Sequence, residues 1–223
     1  RELLQVEKPD LVSICTPNVT HKDITIAALE QGACVHVEKP MTMNAAEARE
    51  VLEAQKRTGK LVQVGLNKRF TSAAVLLRRL LEAGYFGEIY HVRCGWERNS
   101  GIPGTGRWFT NRALSGGGAL IDLGVHYLDL GMLAMGWPEP EKAVGALSGC
   151  FLDGGGRIRR GYRSADGIND VEDSAAGAVR MKDGKLLEYA FRWAANIQKE
   201  TQYVQGLGTK AGFLLEDDSL ELY

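Results

Sequence analysis

Cys34-Val35-His36-Val37-Glu38-Lys39-Pro40 ends a short apolar strand on a Glu-Lys-Pro tripeptide, which sets a carboxylate and a cation at the strand's carboxyl end. In open α/β sheets that edge is where ligands bind and chemistry is done. Upstream, Asp10-Leu11-Val12-Ser13-Ile14-Cys15-Thr16-Pro17-Asn18 repeats the pattern: an apolar run stops at Thr-Pro-Asn, and a helical stretch follows with His21 in its first turn. Two strand ends therefore present polar groups to one crevice.

Working outward, the first 66 residues alternate strand and helix: strands at about 10–15, 33–37 and 61–65, helices at about 19–31 and 44–58. That order predicts parallel strands joined by crossover helices. Asn44 before Ala45-Ala46-Glu47 reads as a helix cap with Glu47 reaching back, Ala48, Val51, Leu52 and Gln55 form a face, and Gly59 stops the helix. After a further helix at about 71–83 the period changes. Strands of period two are predicted at about 88–98, 142–150, 172–181, 185–195, 200–207 and 211–216, with Gly117 to Leu133 as one helix between the first two. The chain opens on Arg1-Glu2-Leu3-Leu4, which reads as the end of a helix, so a preceding segment is expected. Asp153-Gly154-Gly155-Gly156 reads as a loop. The fold class is α/β followed by α+β: residues 1–66 are the later part of a doubly wound parallel sheet, and residues 67–223 form a domain on a large, open, mainly antiparallel sheet.

Composition excludes several function classes. The 27 basic and 28 acidic residues nearly cancel, and no basic run marks a nucleic-acid footprint. No apolar run approaches the roughly 18 residues that span a bilayer; a cytoplasmic protein that binds neither membrane nor nucleic acid is expected. Cys15, Cys34, Cys94 and Cys150 lie far apart with no clustered histidines, so no metal site is predicted. Cys15 and Cys34 read as small buried hydrophobes within strands.

Asp122 and His126 are four apart on the predicted helix and share a face. A carboxylate beside an imidazole raises its proton affinity and suits a general base; the same spacing also suits an ordinary helix-surface pair. The glycines of Ser115-Gly116-Gly117-Gly118 let backbone approach a ligand, or simply make a loop. Lys39 is flanked by Pro40, which fixes the backbone, and Glu38, a possible partner for the ammonium. Arg107 with Trp108, and Asn67 with Arg69 after the 61–65 strand, are further pocket candidates, though each alone also suits a structural role.

Taken in order, Cys15-Thr16-Pro17-Asn18-x-x-His21, Gly32 to Pro40, Gln63-Val64-Gly65-Leu66-Asn67-Lys68-Arg69-Phe70, Gly116 to His126, and the Gly208-Thr209-Lys210-Ala211-Gly212 turn resemble the Gfo/Idh/MocA oxidoreductase family over nearly the whole chain. The resemblance implies a Rossmann domain that binds NAD or NADP, then a domain whose open sheet carries substrate determinants and an oligomer interface, here a homodimer or homotetramer. By motif match, Thr16, Pro17, Asn18 and His21 lie along the nicotinamide ribose, and Glu38, Lys39 and Pro40 flank the nicotinamide, with Asn67 and Arg69 as further cofactor contacts. Asp122 and His126 meet the substrate, with Arg107 and Trp108 beside it, and Lys39, Asp122 and His126 are the catalytic set. The implied reaction is hydride transfer between the nicotinamide and a secondary alcohol of a sugar, inositol or related polyol. An NAD-dependent glycosidase and a non-catalytic sugar or cofactor sensor are the alternatives on this scaffold. The family's Gly-x-Gly-x-x-Gly turn, which holds the pyrophosphate, would belong before residue 1, and further helices would follow Tyr223. The chain is thus expected to be an internal fragment.

Overall fold

The computed structural model of the chain describes residues 2–152, 164 and 167–223. Strands β1 (Leu11–Ile14), β2 (Cys34–Val37) and β3 (Val62–Val64) pair in parallel in that order. Helices α1 (Glu2–Glu7), α2 (His21–Glu30) and α3 (Ala45–Thr58) accompany them. Ile14, Val35 and Val37 pack with Ala28, Leu29 and Ala54 into a dry core, the burial that draws the helices onto the sheet. Asn44 caps α3 by accepting from Glu47 N at 3.0 Å, and Gly59 ends it at φ +68°. The reach-back of Glu47 goes one residue further than the capping box requires, to Met43 N at 3.0 Å. The buried α3 face is Val51 and Ala54; Leu52, expected on it, is exposed. Cys15 is a second correction. It stands one residue past β1 and is exposed, while Cys34 is half-buried.

A seven-stranded sheet makes the second layer. It comprises β4 (Ile89–Glu97), β5 (Pro140–Ser148), β6 (Ser174–Met181), β7 (Leu186–Arg192), β8 (Thr201–Gly208), β9 (Gly212–Glu216) and β10 (Ser219–Leu222), in the order β10-β9-β8-β4-β7-β6-β5. Every neighbouring pair is antiparallel except β4 and β7, which run parallel. One sheet face carries α4 (Ser72–Glu82) and α6 (Val125–Ala134), with Val92, Leu187, Phe191 and Val204 packed against Leu77, Tyr127 and Leu130. Gly131 sets how closely α6 can lie, because a Cβ there would meet Val92 and Leu187 at 3.2 Å.

Two elements have no sequence counterpart. Helix α5 (Arg112–Ser115) is one turn, too short to show a period, and β10 follows the acidic turn Glu216-Asp217-Asp218, which reads as a surface loop. The expected single helix over 117–133 is also revised: Leu120–Gly124 form a π turn and α6 begins only at Val125. The expected loop at 153–156 lies outside the described residues. No helix among the described residues is long and apolar enough to cross a membrane.

Candidate active site

Glu38 extends the β2 ladder by one bond, its N–H donating to Ile14 O at 2.9 Å, and the Lys39–Pro40 peptide that follows is cis. The Lys39 side chain reaches across to the second layer. There its Nζ donates to Asp122 Oδ1 at 2.6 Å and to the Asp122 main-chain oxygen at 2.8 Å. The ammonium's partner is thus 83 residues away, not the adjacent Glu38. Glu38 instead lies against Gly65, where a Cβ would come within 3.2 Å of its carboxylate.

The double contact falls within a π turn. Such turns bond i to i+5 and recur at functional sites, since they widen the helix locally and change how carbonyls are used. Asp122 sits in the middle of this one and turns both oxygens of its own residue, main-chain and side-chain, to Lys39. Its other carboxylate oxygen accepts from Trp193 Nε1 at 2.9 Å. The start of the turn is held by Glu172, a buried residue whose Oε1 accepts from Gly118 N and Leu120 N, each at 3.0 Å. Gly118 must be glycine here, because a Cβ would fall 1.8 Å from Glu172 O.

His126, the second residue of α6, is buried, and neither of its ring nitrogens has a hydrogen-bond partner among the described residues; Nδ1 is sealed from solvent. That leaves Nε2 as the nitrogen able to meet a ligand. Burial first, and the Lys39 charge second, lower its pKa from 6.5 to about 4, overriding the opposite pull of Asp122. Asp122 pulls the proton affinity of His126 upward, as expected, but burial and Lys39 outweigh that pull, so the imidazole is neutral at neutral pH; the carboxylate itself is engaged by Lys39 and Trp193.

Two adjoining cavities meet at Lys39, Phe109 and Asp122. One faces the parallel sheet and is lined by Thr16, Asn18, His21, Glu38, Pro40 and Trp108 among others. The other, about 230 Å³, is walled by Trp96, Arg98 and His126. Within the first, His21 is fully buried and bridges Thr16 O at 2.9 Å and Pro40 O at 2.8 Å, so it ties the two strand-end loops together. Asn18 Nδ2 donates to Ser115 O at 2.8 Å and joins the parallel layer to the second one. Pro17 opens the 3-10 turn Asn18–Thr20, its carbonyl accepting from Thr20 N at 3.0 Å.

Three expected site residues stand elsewhere. Arg69 forms a two-pronged ion pair with Asp129 at 2.5 Å and lies over the Trp137 ring, away from both cavities. Asn67 opens the neighbouring 3-10 turn and lines neither cavity, and the same is true of Arg107. Trp108, expected beside the substrate, stacks on Phe109 at 3.8 Å between centroids and lines the cavity opposite His126. Sequence reasoning missed Trp96, Arg98, Glu172 and Trp193. Trp96 and Arg98 flank the carboxyl end of β4 and Trp193 follows that of β7, so the strand-end logic that found Lys39 applies to them too. Their parallel pairing, which brings both ends to one place, leaves no mark in the sequence.

Comparison with known proteins agrees with this architecture. A family model described as an oxidoreductase family with an NAD-binding Rossmann fold matches residues 1–66, and the GFO/IDH/MocA C-terminal domain matches residues 75–213. The chain belongs to the Gfo/Idh/MocA oxidoreductase family. This family member is 37% identical over 216 residues to the D-glucoside 3-dehydrogenase of Escherichia coli K12, an alignment that covers 96% of the chain and 60% of the relative. It is 34% identical over 135 residues to the scyllo-inositol 2-dehydrogenase (NAD(+)) of Bacillus subtilis 168, covering 60% of the chain and 38% of that protein. The crystal structure of an oxidoreductase domain protein from Kribbella flavida superposes with a TM-score of 0.86 at 28% identity, over all of the chain and 60% of that structure. The Gfo/Idh/MocA chain thus spans about 60% of the length of the first of these relatives.

The first cavity fits the nicotinamide end of NAD. It opens at the carboxyl ends of parallel strands, offers the Lys39 ammonium and hydroxyl and carbonyl groups of the Thr16 loop, and has the flat Trp108 ring on its wall. No Gly-x-Gly-x-x-Gly turn occurs within residues 1–66.

Proposed function

We propose that this chain carries the nicotinamide and substrate sites of an NAD-dependent dehydrogenase that oxidises a secondary alcohol of a sugar, glycoside or cyclitol. One observation carries the reading: the Lys39–Asp122 pair stands where the two cavities meet, with the unpartnered His126 ring on the far side. Bound NAD supplies the hydride acceptor. Lys39 then donates a hydrogen bond to the substrate oxygen and stabilises the charge that develops there as the hydride leaves. Because Asp122 grips Lys39 through two oxygens, the ammonium is placed before substrate arrives. His126, neutral at neutral pH, accepts the hydroxyl proton at Nε2. Reduction of a ketone reverses each step. The named dehydrogenation of a glucoside by one relative and of an inositol by another supports a polyol substrate. So does the second cavity: at about 230 Å³ it is smaller than the roughly 300–1,000 Å³ of drug-sized sites and suits one small ring.

The test is a screen of free sugars, glucosides and inositols with NAD in the full-length protein, followed by substitution. Lys39→Ala is expected to lower kcat at least as far as His126→Ala, which should cost about 100-fold to 10,000-fold, the worth of a general base. A His126→Ala enzyme that turns over within about threefold of the unsubstituted one would remove the proton-transfer role.

A further inference from the structure

Trp193 is fully buried and stands one residue past β7. Its main-chain N–H is tied to Asp173 O at 2.8 Å, and its indole Nε1 reaches Asp122 Oδ2 at 2.9 Å. A carboxylate held only by the ammonium could rotate about its Cβ–Cγ bond and offer an oxygen to His126, four residues on along the same helical face. The indole N–H is a donor only, so the one thing it can do here is commit Oδ2. With Oδ2 taken, the plane of the carboxylate is set and Oδ1 faces Lys39 at 2.6 Å.

We propose that Trp193 is a positioning residue of the active site: it orients Asp122 so that the carboxylate serves Lys39 and leaves His126 unpaired. This rests on the roles given above to Lys39 and His126. It accounts for a pattern the helix spacing alone does not: Asp122 and His126 share a face, yet no hydrogen bond joins them, and the carboxylate's two oxygens go to groups 83 and 71 residues away. It also ties the seven-stranded sheet to the reacting groups, because Trp193 is carried by the strand that pairs in parallel with β4, whose own end supplies Trp96 and Arg98 to the same cavity. A tryptophan that merely filled the core would also need a partner for its buried N–H, so the two roles are separated by whether the work of Asp122 depends on that bond.

Trp193→Phe keeps most of the ring and removes the N–H. A hydrogen bond to a charged group is worth about 1.5–3 kcal/mol, so kcat should fall about 10-fold to 100-fold while KM for NAD stays unchanged. The same change made in an Asp122→Ala background should cost nothing further, since the group it positions is gone. Losses that multiply overturn the proposal. A second readout is independent of turnover: nitrogen-15 labelling of the full-length protein gives one indole signal per tryptophan, four of them from this chain, and Trp193→Phe assigns that of Trp193. Asp122→Ala should move that signal to higher field as its acceptor is lost; a signal that stays in place overturns the proposal. If the unsubstituted protein oxidises no polyol, the functional reading fails on its own, and the indole signal still decides whether Trp193 holds Asp122. If Trp193→Phe does not fold, the loss or persistence of a downfield indole signal on Asp122→Ala decides the matter.

Discussion

Burial and the neighbouring Lys39 charge make His126 a poor place for a stored proton, and that has two pH consequences of the same sign. In the proposed oxidation the neutral ring takes the proton, and its pKa is lowered to about 4, so kcat/KM should stay level from neutral pH down to about pH 5 and fall about tenfold per pH unit below the pKa. An acid limb near the ordinary value of 6.5 would contradict this. Stability moves likewise. The unfolded chain binds the proton at 6.5 and the folded one only near 4, so stability is lost as pH falls between those values, by at most about 1.4 kcal/mol per pH unit. Urea titrations at several pH values should show the slope, and His126→Gln should flatten it. Arg69 yields a different prediction. Its partner Asp129 is buried, so Arg69→Ala should cost about 2 kcal/mol, reduced from the usual toll of breaking a buried pair because the arginine is a third exposed. Calorimetric NAD affinity should not change, since the guanidinium is not in the crevice. Lys39, Asp122 and His126 were legible in the sequence because each sits inside a local pattern, a strand end or a helical spacing. The pairing of Arg69 with Asp129 was not legible, because a polar run after a strand looks the same whether the side chain meets a ligand or a buried carboxylate.

At the scale of elements, the helix that carries Asp122 and His126 depends on a residue from a distant segment. Glu172 accepts from two N–H groups at its start, where an acidic side chain also meets the positive end of the helix. Glu172→Ala strands both donors in a buried place, and a loss of about 2 kcal/mol should lower the melting temperature by about 4–8 °C. The π turn should loosen with it, so kcat should fall beyond what the thermal shift alone explains; equal kcat at a temperature where both proteins are folded would show that the turn holds without its cap. None of this was visible along the chain. Gly117 to Leu133 reads as one helix, and inserting a π turn shifts the register by one residue without changing which residue types appear. The strands were legible for the opposite reason: period two survives small errors at the ends, and the hairpin at Asp183-Gly184, with Gly184 at φ +90°, punctuates it. β10 was lost because its four residues follow an acidic turn.

For the whole molecule, alternation tells which residues share a face and is silent on strand order and direction. The parallel β4–β7 pair, which sets Trp193 beside the end of β4 that carries Trp96 and Arg98, could be seen only in three dimensions. The face turned away from α4 and α6 raises the last question. Val144, Ala146, Ala176, Ala178 and Ala190 line a shallow apolar groove there, bounded by Tyr203 and by the Arg93–Glu188 ion pair, with Val144 73% exposed. Small apolar side chains on a broad strand surface leave little for water to solvate and nothing bulky to prevent a second sheet from lying flat against it. A like copy fits the charge pattern, since Arg93 and Glu188 at the margin can meet their opposites across a two-fold axis. A homodimer, or a homotetramer containing that dimer, is the expected assembly. Ala178→Lys puts a long charged side chain in the middle of the groove opposite Glu188, twice per two-fold interface, where closing the sheets together would desolvate the charges and hold the surfaces apart. The substituted full-length protein should therefore sediment as a monomer at concentrations where the unsubstituted one does not. Its kcat should hold, because Ala178 lines neither active-site cavity. Light scattering that reports a monomer for the unsubstituted protein at every concentration would remove the assembly outright, and an Ala178→Lys oligomer would place the interface on another face.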